Sequence, residues 1–138
     1  MEGITNKASK QAADEPATEL LSRKFQKELN AGLVALVLLA ILGRAEEDLY
    51  GYQIAKRLQS EGGGAAGLVK QGALYPVLRT LSAAGLLASR VVPSYAGPPR
   101  RYYRITEAGR ATLADWCAIW RATRDFVNDF TDTRGDTP

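Results

Sequence analysis

The chain has 138 residues, of which 46% are hydrophobic and 24% are charged, and its formal net charge is only +3. This length suits one small domain with tails, and the composition excludes a disordered or disulfide-built protein. The sequence has no histidine and a single cysteine, so it lacks the usual proton shuttle, the commonest metal ligand and any internal disulfide. We therefore expect no enzyme, no metal site and no cofactor.

Residues 1–17 are polar and rich in alanine, and they predict a disordered tail. Because this stretch has no apolar core, it is not a signal peptide. The first helix is predicted to begin near residue 18 or 22 and to end at Gly43. Its early part is amphipathic, with Phe25 and Leu29 on the apolar face.

The later part of the first helix, residues 33–42, is apolar on every side. Ten residues fall short of the ~20 needed to span a bilayer, so we expect a core helix in a soluble, cytoplasmic protein without a membrane partner. In so small a domain, an all-round apolar helix favours a second chain covering one face.

A second helix is predicted over residues 49–60 with Asp48 as its N-cap, followed by a flexible loop over residues 61–67. The third helix begins near residue 70 and closes at Gly85. Helical spacing places four apolar residues on its inner face, namely Leu74, Val77, Leu78 and Leu81. The opposite side carries Gly72, Tyr75, Pro76 and Arg79.

Two strands follow, over residues 86–92 and 102–105, joined by a hairpin loop at residues 93–99. Thr106 is predicted to cap a final helix from Glu107 to about Phe130. Six residues of that helix have the alternating spacing of a coiled-coil seam: Leu113, Trp116, Trp120, Thr123, Val127 and Phe130. Residues 132–138 predict a second disordered tail.

The distribution of charge singles out the third helix and the hairpin. Between Gly62 and Thr106 there is no acidic residue, whereas the same window holds Lys70, Arg79, Arg90, Arg100, Arg101 and Arg104. A local patch of one sign on a small domain indicates a polyanion as partner.

The order of these elements predicts a mostly α protein with a small β-hairpin, the plan of a winged helix-turn-helix. The third helix would enter the major groove of double-stranded DNA and the hairpin would reach its backbone or minor groove. The candidate DNA contacts are Lys70, Gln71, Gly72, Tyr75, Pro76, Arg79, Arg100 and Arg101. Strand alternation puts the last two on opposite faces, which leaves open the one that reaches DNA.

Three blocks of sequence resemble the PadR-like transcriptional regulators. They are YGYQIAKRL at 50–58, GALYPVLRTLSAAGLL at 72–87 and GPPRRYYRITEAG at 97–109. The resemblance departs at Tyr50, where members often carry histidine, and at Ala73, where serine or threonine is frequent. The second departure removes a possible hydroxyl contact to DNA.

The resemblance implies a homodimeric repressor, with residues 18–106 as the DNA-binding domain and residues 107–131 as a dimerisation helix. Its implied interface joins the first and last helices through Phe25, Leu29, Leu113, Trp116, Trp120, Thr123, Val127 and Phe130. Some short members bind a flat aromatic effector at the dimer centre, which implies stacking on Trp120 and, beside it, Trp116. Apolar stripes at helical spacing are more often core, so packing in the dimer core is the favoured role of both tryptophans. The alternative function is a winged-helix module that binds only an acidic protein partner.

Overall fold

The computed structural model describes residues 2–61 and 71–132 of the chain, with side chains from residue 16 to 59 and from 73 to 132. The helices are α1 (Glu2–Arg44), α2 (Gly51–Glu61), α3 (Gln71–Ala83) and α4 (Glu107–Thr131). The strands are β1 (Leu49–Tyr50), β2 (Leu87–Val92) and β3 (Arg100–Ile105). Most of the predicted 61–67 loop, Lys70 and the tail beyond residue 132 lie outside the described residues.

Helix α1 differs from the prediction at its N-terminal end. A disordered tail was expected over residues 1–17, but the helix already begins at Glu2 and contains Pro16. The stretch before Pro16 contains three alanines, two lysines and two glutamates, which have high helix propensity, and this outweighs its lack of an apolar face. The chain divides into two compact units, residues 1–33 and residues 34–138.

The apolar segment of α1 is longer than the ten-residue run at 33–42 that the sequence indicated. By length and composition alone, the segment Pro16–Arg44 is sufficient to cross a membrane. Core helices of soluble proteins meet the same criterion, and here Leu38, Leu39 and Leu42 are almost completely buried. The end of α1 is therefore a core element of the second unit, as predicted.

The core of residues 34–138 lies between the end of α1, α2, α3 and the sheet. Besides the α1 residues, it consists of Leu49, Ile54, Leu74, Leu78, Leu81, Leu87, Tyr103 and Ile105. Leu74, Leu78 and Leu81 confirm the predicted inner face of α3, and Val77 packs against the same core. Burial of each such side chain contributes roughly 1.5–3 kcal/mol, so this face fixes how α3 is rotated.

The sheet has three antiparallel strands in the order β1-β3-β2, one more than the predicted hairpin. Leu49 pairs with Tyr103, and Tyr50 pairs with Tyr102. The prediction that Asp48 caps a helix starting at residue 49 is wrong. Leu49 and Tyr50 instead form a strand that covers the otherwise open edge of β3. Helix α2 begins only at Gly51, and the side chain of Gln53 accepts the N–H of Tyr50 at 3.1 Å.

The junction between the hairpin and α4 is held by a group of hydrogen bonds at Thr106. Its N–H donates to the carbonyl of Leu86 at 3.1 Å, and its hydroxyl donates to the carbonyl of Gly85 at 2.7 Å. The hydroxyl also accepts the N–H of Gly109 at 3.0 Å, which confirms the predicted N-cap. Gly85 has a φ of +80°, the left-handed conformation expected of the glycine that closes α3.

Gly109 allows the first turn of α4 to approach this junction closely. A Cβ atom at residue 109 would collide with the carbonyl oxygen of Leu86 and would lie 2.7 Å from Cγ1 of Ile105. Since the Leu86 carbonyl accepts the bond from Thr106, it has no freedom to move aside. The start of α4 is thus fixed against the turn that follows α3.

We expect Gly109→Ala to lower the free energy of unfolding by about 1–3 kcal/mol, the usual cost of forcing an extra group into a packed site. Helix propensity alone would change stability in the opposite direction, because alanine favours a helix over glycine by roughly 1 kcal/mol. Urea unfolding at one fixed protein concentration measures the difference. Gly97→Ala is the matched control, since a Cβ there meets no described atom within 4 Å. Equal stability of the two variants would contradict the close contact.

Candidate nucleic-acid interface

The face of α3 that points away from the core carries the predicted contact residues. Tyr75 is 42% exposed, and Pro76 and Arg79 are also exposed, while Leu74 and Leu78 beside them are fully buried. Gln71 and Gly72 belong to the first turn of the same helix. The helix continues through Pro76 to Ala83, as predicted. The buried leucines therefore present Tyr75 and Arg79 to solvent together.

The ring of Tyr75 lies directly against the backbone of Gly51 at the start of α2. A Cβ atom at residue 51 would lie 2.6 Å from the Tyr75 hydroxyl oxygen and 2.7 Å from its Cε1. These separations are shorter than van der Waals contact, so a side chain at residue 51 would require the Tyr75 ring to move. Gly51 thus allows the phenol to lie in this position, although the sequence pattern had not indicated any role for it.

Tyr103 of β3 is buried beneath this face, with 4% of its surface exposed. Burial raises the pKa of its phenol above the ordinary value of 10.0; the positive charges of Arg101 and Arg79 act against this, and the Tyr75 phenol acts with it. Arg101, Arg79 and Tyr75 therefore each lie within electrostatic range of Tyr103. The tyrosine pair at 102–103 was predicted to contain one core residue, and Tyr103 is that residue.

The two arginines at the start of β3 contact different groups, as strand alternation predicted. Arg101 donates to the hydroxyl of Ser89 at 3.0 Å, on the face that also carries Tyr103. The guanidinium of Arg100 lies over the ring of Tyr50, 4.6 Å from its centroid. Arg101 is therefore grouped with α3, whereas Arg100 is held on the outer face of the sheet.

The electrostatic character of the surface follows from the lack of acidic residues between positions 62 and 106. Within the part of the chain that the structure describes, Arg79, Arg100 and Arg101 have no carboxylate within ion-pair distance. Arg90 differs, because its Nε lies 2.9 Å from Oδ2 of Asp48. This pair joins residues 42 positions apart, a separation at which no local sequence pattern indicates pairing. Arg104 near the end of β3 likewise has no such carboxylate, so the uncompensated charge of the described residues in this window lies on α3 and along β3.

The predicted seam of α4 separates into two parts. Leu113 and Trp116 are partly buried and pack against the domain's own core. Further along the helix, Trp120 is 37% exposed, Val127 47% and Phe130 78%, and Thr123 is exposed as well. In the first unit, Phe25 and Leu29 are exposed by 65% and 42%. The second half of α4 therefore has an apolar stripe that the described residues of its own unit leave exposed to solvent.

These features define the class of the protein. A helix with a solvated basic face, supported by a second helix and followed by a two-stranded wing, is a winged helix-turn-helix. Residues 38–115 match the transcriptional regulator PadR-like family, and the chain belongs to this family. The transcriptional regulator Rv3488 of Mycobacterium tuberculosis is 36% identical over 118 residues, which is 83% of this chain and 97% of that protein. The family is one of transcription regulators rather than enzymes.

Solved structures show the same fold. A transcriptional regulator from Clostridium thermocellum superposes with a TM-score of 0.67 at 28% identity, covering 75% of this chain and 98% of that one. Bacillus subtilis PadR in complex with operator DNA has a TM-score of 0.55 at 25% identity, covering 62% of this chain and 46% of that one. The mostly helical, winged helix-turn-helix architecture predicted from the sequence is confirmed.

The raised pKa of Tyr103 predicts how the stability depends on alkaline pH. The folded state retains a neutral phenol above pH 10.0, where the unfolded chain has lost its proton, so the stabilisation is complete below that pH and declines as pH rises towards the folded pKa. Unfolding experiments from neutral to high pH measure this decline in the free energy of unfolding. We expect Tyr103→Phe to lose less stability at high pH than the wild type, because it has no phenol to titrate at that position. Tyr95→Phe is the control, because that ring is fully exposed. A Tyr103→Phe profile parallel to the wild-type profile would contradict the assignment.

Proposed function

We propose that the protein is a homodimeric, sequence-specific DNA-binding repressor that acts on a palindromic operator in the cytoplasm. The observation that carries this proposal is the exposed pair Tyr75 and Arg79 on α3, next to an uncompensated basic strand start. In a winged helix-turn-helix, the corresponding helix enters the major groove and the wing meets the backbone. The solved relative bound to operator DNA supports the same role for this chain.

Each proposed contact has a chemical rationale. Arg79 supplies a planar, permanently charged donor for guanine edges or phosphates. The Tyr75 hydroxyl offers a hydrogen bond, and the ring of Pro76 offers apolar contact. Lys70, Gln71 and Gly72 would meet the DNA backbone near the start of α3, and Arg100 or Arg101 would bind a phosphate from the wing.

The apolar surface of α4 supports the dimer. Trp120, Val127 and Phe130 leave much of their surface in water, and the rings of Phe126 and Phe130 lie 5.0 Å apart on the same helix. A second copy of the chain would bury these groups, and the regular spacing of the seam suits helix against helix. Two copies would place two α3 helices at half-sites about one turn of DNA apart, roughly 34–36 Å.

A flat aromatic effector at the dimer centre stays a prediction. The exposure of Trp120 makes its ring available for stacking, whereas Trp116 packs against the core and is less suited to that role. Such a ligand would relieve repression only if it bound more tightly to a dimer geometry in which the two α3 helices no longer fit both grooves.

The DNA-binding proposal predicts that Arg79→Ala and Tyr75→Ala weaken binding to duplex DNA. The expected loss for Arg79→Ala is about 1–3 kcal/mol, the range for an arginine that contacts bases. The measurement is a gel shift or fluorescence anisotropy titration with a duplex selected from a random pool by the wild-type protein. Arg104→Ala removes the same charge at the opposite end of β3 from Arg100 and should bind like the wild type.

The protein-only alternative makes a different prediction in the same experiment. If the wild type selects no duplex and binds none at low salt, the basic surface serves an acidic protein instead. If Arg104→Ala weakens binding as much as Arg79→Ala, binding depends on total charge rather than on α3. That result would contradict sequence-specific recognition by this helix.

The dimer predicts that a carboxylate on the exposed stripe of α4 separates the copies. Val127→Asp places a carboxylate on a surface that a partner copy would bury. The free energy of desolvating this charge is far larger than any local effect of the substitution on the helix. Light scattering coupled to size exclusion should report a wild-type dimer and a monomeric variant. Ala118→Asp adds the same charge to the other side of α4 and should remain dimeric. A monomeric wild type at concentrations that saturate DNA would contradict the proposal.

A further inference from the structure

The outer face of the sheet carries a group of four side chains, the outer ladder, formed by Tyr50, Tyr102, Arg90 and Arg100. Tyr50 and Tyr102 are paired across β1 and β3, and their rings meet edge to face with centroids 5.3 Å apart. The guanidinium of Arg90 lies 5.1 Å from the centroid of Tyr102, and that of Arg100 lies 4.6 Å from the centroid of Tyr50. Each arginine thus has its own aromatic platform.

The two arginines differ in whether a carboxylate neutralises them. Arg90 forms an ion pair with Asp48 at 2.9 Å, so its charge is compensated locally. Among the residues that the structure describes, Arg100 has no such carboxylate, and its side chain is exposed. An approaching polyanion would therefore be attracted to Arg100 and much less to Arg90.

The position of Arg100 relates it to the proposed recognition helix. Tyr50, which supports Arg100, immediately precedes Gly51, against which the ring of Tyr75 packs. The segment Tyr50–Gly51 therefore makes both contacts. The ring of Tyr50 contacts Arg100 of the wing, and the backbone of Gly51 contacts Tyr75 of α3. The spacing between these two groups is set by packed contacts rather than by the hairpin loop.

We propose that Arg100 is a phosphate contact of the wing and that Tyr50 is the positioning residue that preorganises it. This inference rests on the proposed DNA-binding function. A ring beneath a guanidinium occupies its face and leaves its N–H donors at the edge free for a phosphate. Because the side chain is already ordered, less conformational entropy is lost on binding.

The first test is the salt dependence of binding to the selected duplex, between about 50 and about 200 mM salt. Each phosphate contact that is lost reduces the slope of log K against log salt by about 0.9, so Arg100→Ala should reduce it by that amount for each bound protomer. Arg90→Ala is the matched control, since it removes the same side chain from the same ladder. Its slope should equal that of the wild type, because its charge is already compensated.

The second test isolates Tyr50. Tyr50→Leu removes the platform and should weaken binding roughly two- to fivefold, the range for an exposed cation–π contact, whereas Tyr50→Phe retains the ring and should bind like the wild type. In the Arg100→Ala background, Tyr50→Leu should have no further effect, because its role depends on the arginine. A purely structural role for Tyr50 would weaken binding equally in both backgrounds. Thermal unfolding of each variant shows whether the fold is retained.

The outcomes separate this inference from the proposed function. If the wild type binds and Arg79→Ala weakens binding, but Arg100→Ala leaves the slope unchanged or Arg90→Ala reduces it equally, only the inference is overturned. If the wild type binds no duplex, both fall together. If Tyr50→Leu fails to fold, the comparison of Arg100→Ala with Arg90→Ala still tests the phosphate contact. Equal binding by Tyr50→Phe and the wild type then shows that the ring of Tyr50, and not its hydroxyl, supports binding, whereas weaker binding by Tyr50→Phe overturns the role of the ring.

Discussion

The packing of the Tyr75 ring against the backbone of Gly51 is the contact on which the candidate interface depends. It joins the outward face of α3 to the start of α2 so closely that a side chain at residue 51 would displace the Tyr75 ring. Tyr103 of β3 is buried, and Arg79, Arg101 and the Tyr75 phenol are near enough to influence its pKa. Helix α3, the start of α2 and β3 therefore meet at the candidate interface.

The other end of α3 is connected just as firmly to α4. Gly85 ends α3, and the carbonyls of Gly85 and Leu86 accept hydrogen bonds from Thr106, which caps the last helix. Gly109 lets the first turn of α4 lie against the same carbonyl. In a dimer built on α4, this junction would convert the angle between the paired helices into the separation of the two recognition helices. Regulation by a ligand would then need to change only that angle.

Ion pairing, and not only the number of arginines, decides which positive charges on this surface remain available. The window without acidic residues contains several arginines, yet an aspartate from outside the window reaches Arg90 and neutralises it. Arg79 and Arg101 remain on the side of α3, and Arg100 remains on the outer face of the sheet with an aromatic ring beneath it. The cations available to a polyanion are therefore fewer than the sequence indicates, and they lie along β3 and on the exposed side of α3.

Local pattern alone determined helices α3 and α4, the two strands of the wing, the inner face of α3, the glycine that closes α3 and the cap at Thr106, because apolar periodicity and capping chemistry act between residues a few positions apart. It also located the basic stretch, since that depends only on composition. Only the tertiary structure decided that residues 49 and 50 join the sheet, that Gly51 supports Tyr75, and that Asp48 pairs with Arg90. Each of these is a contact between segments far apart along the chain, and its free energy depends on distances that no local propensity contains. The extension of α1 to Glu2 is the opposite case, where intrinsic helix propensity was underestimated because the segment lacks an apolar face.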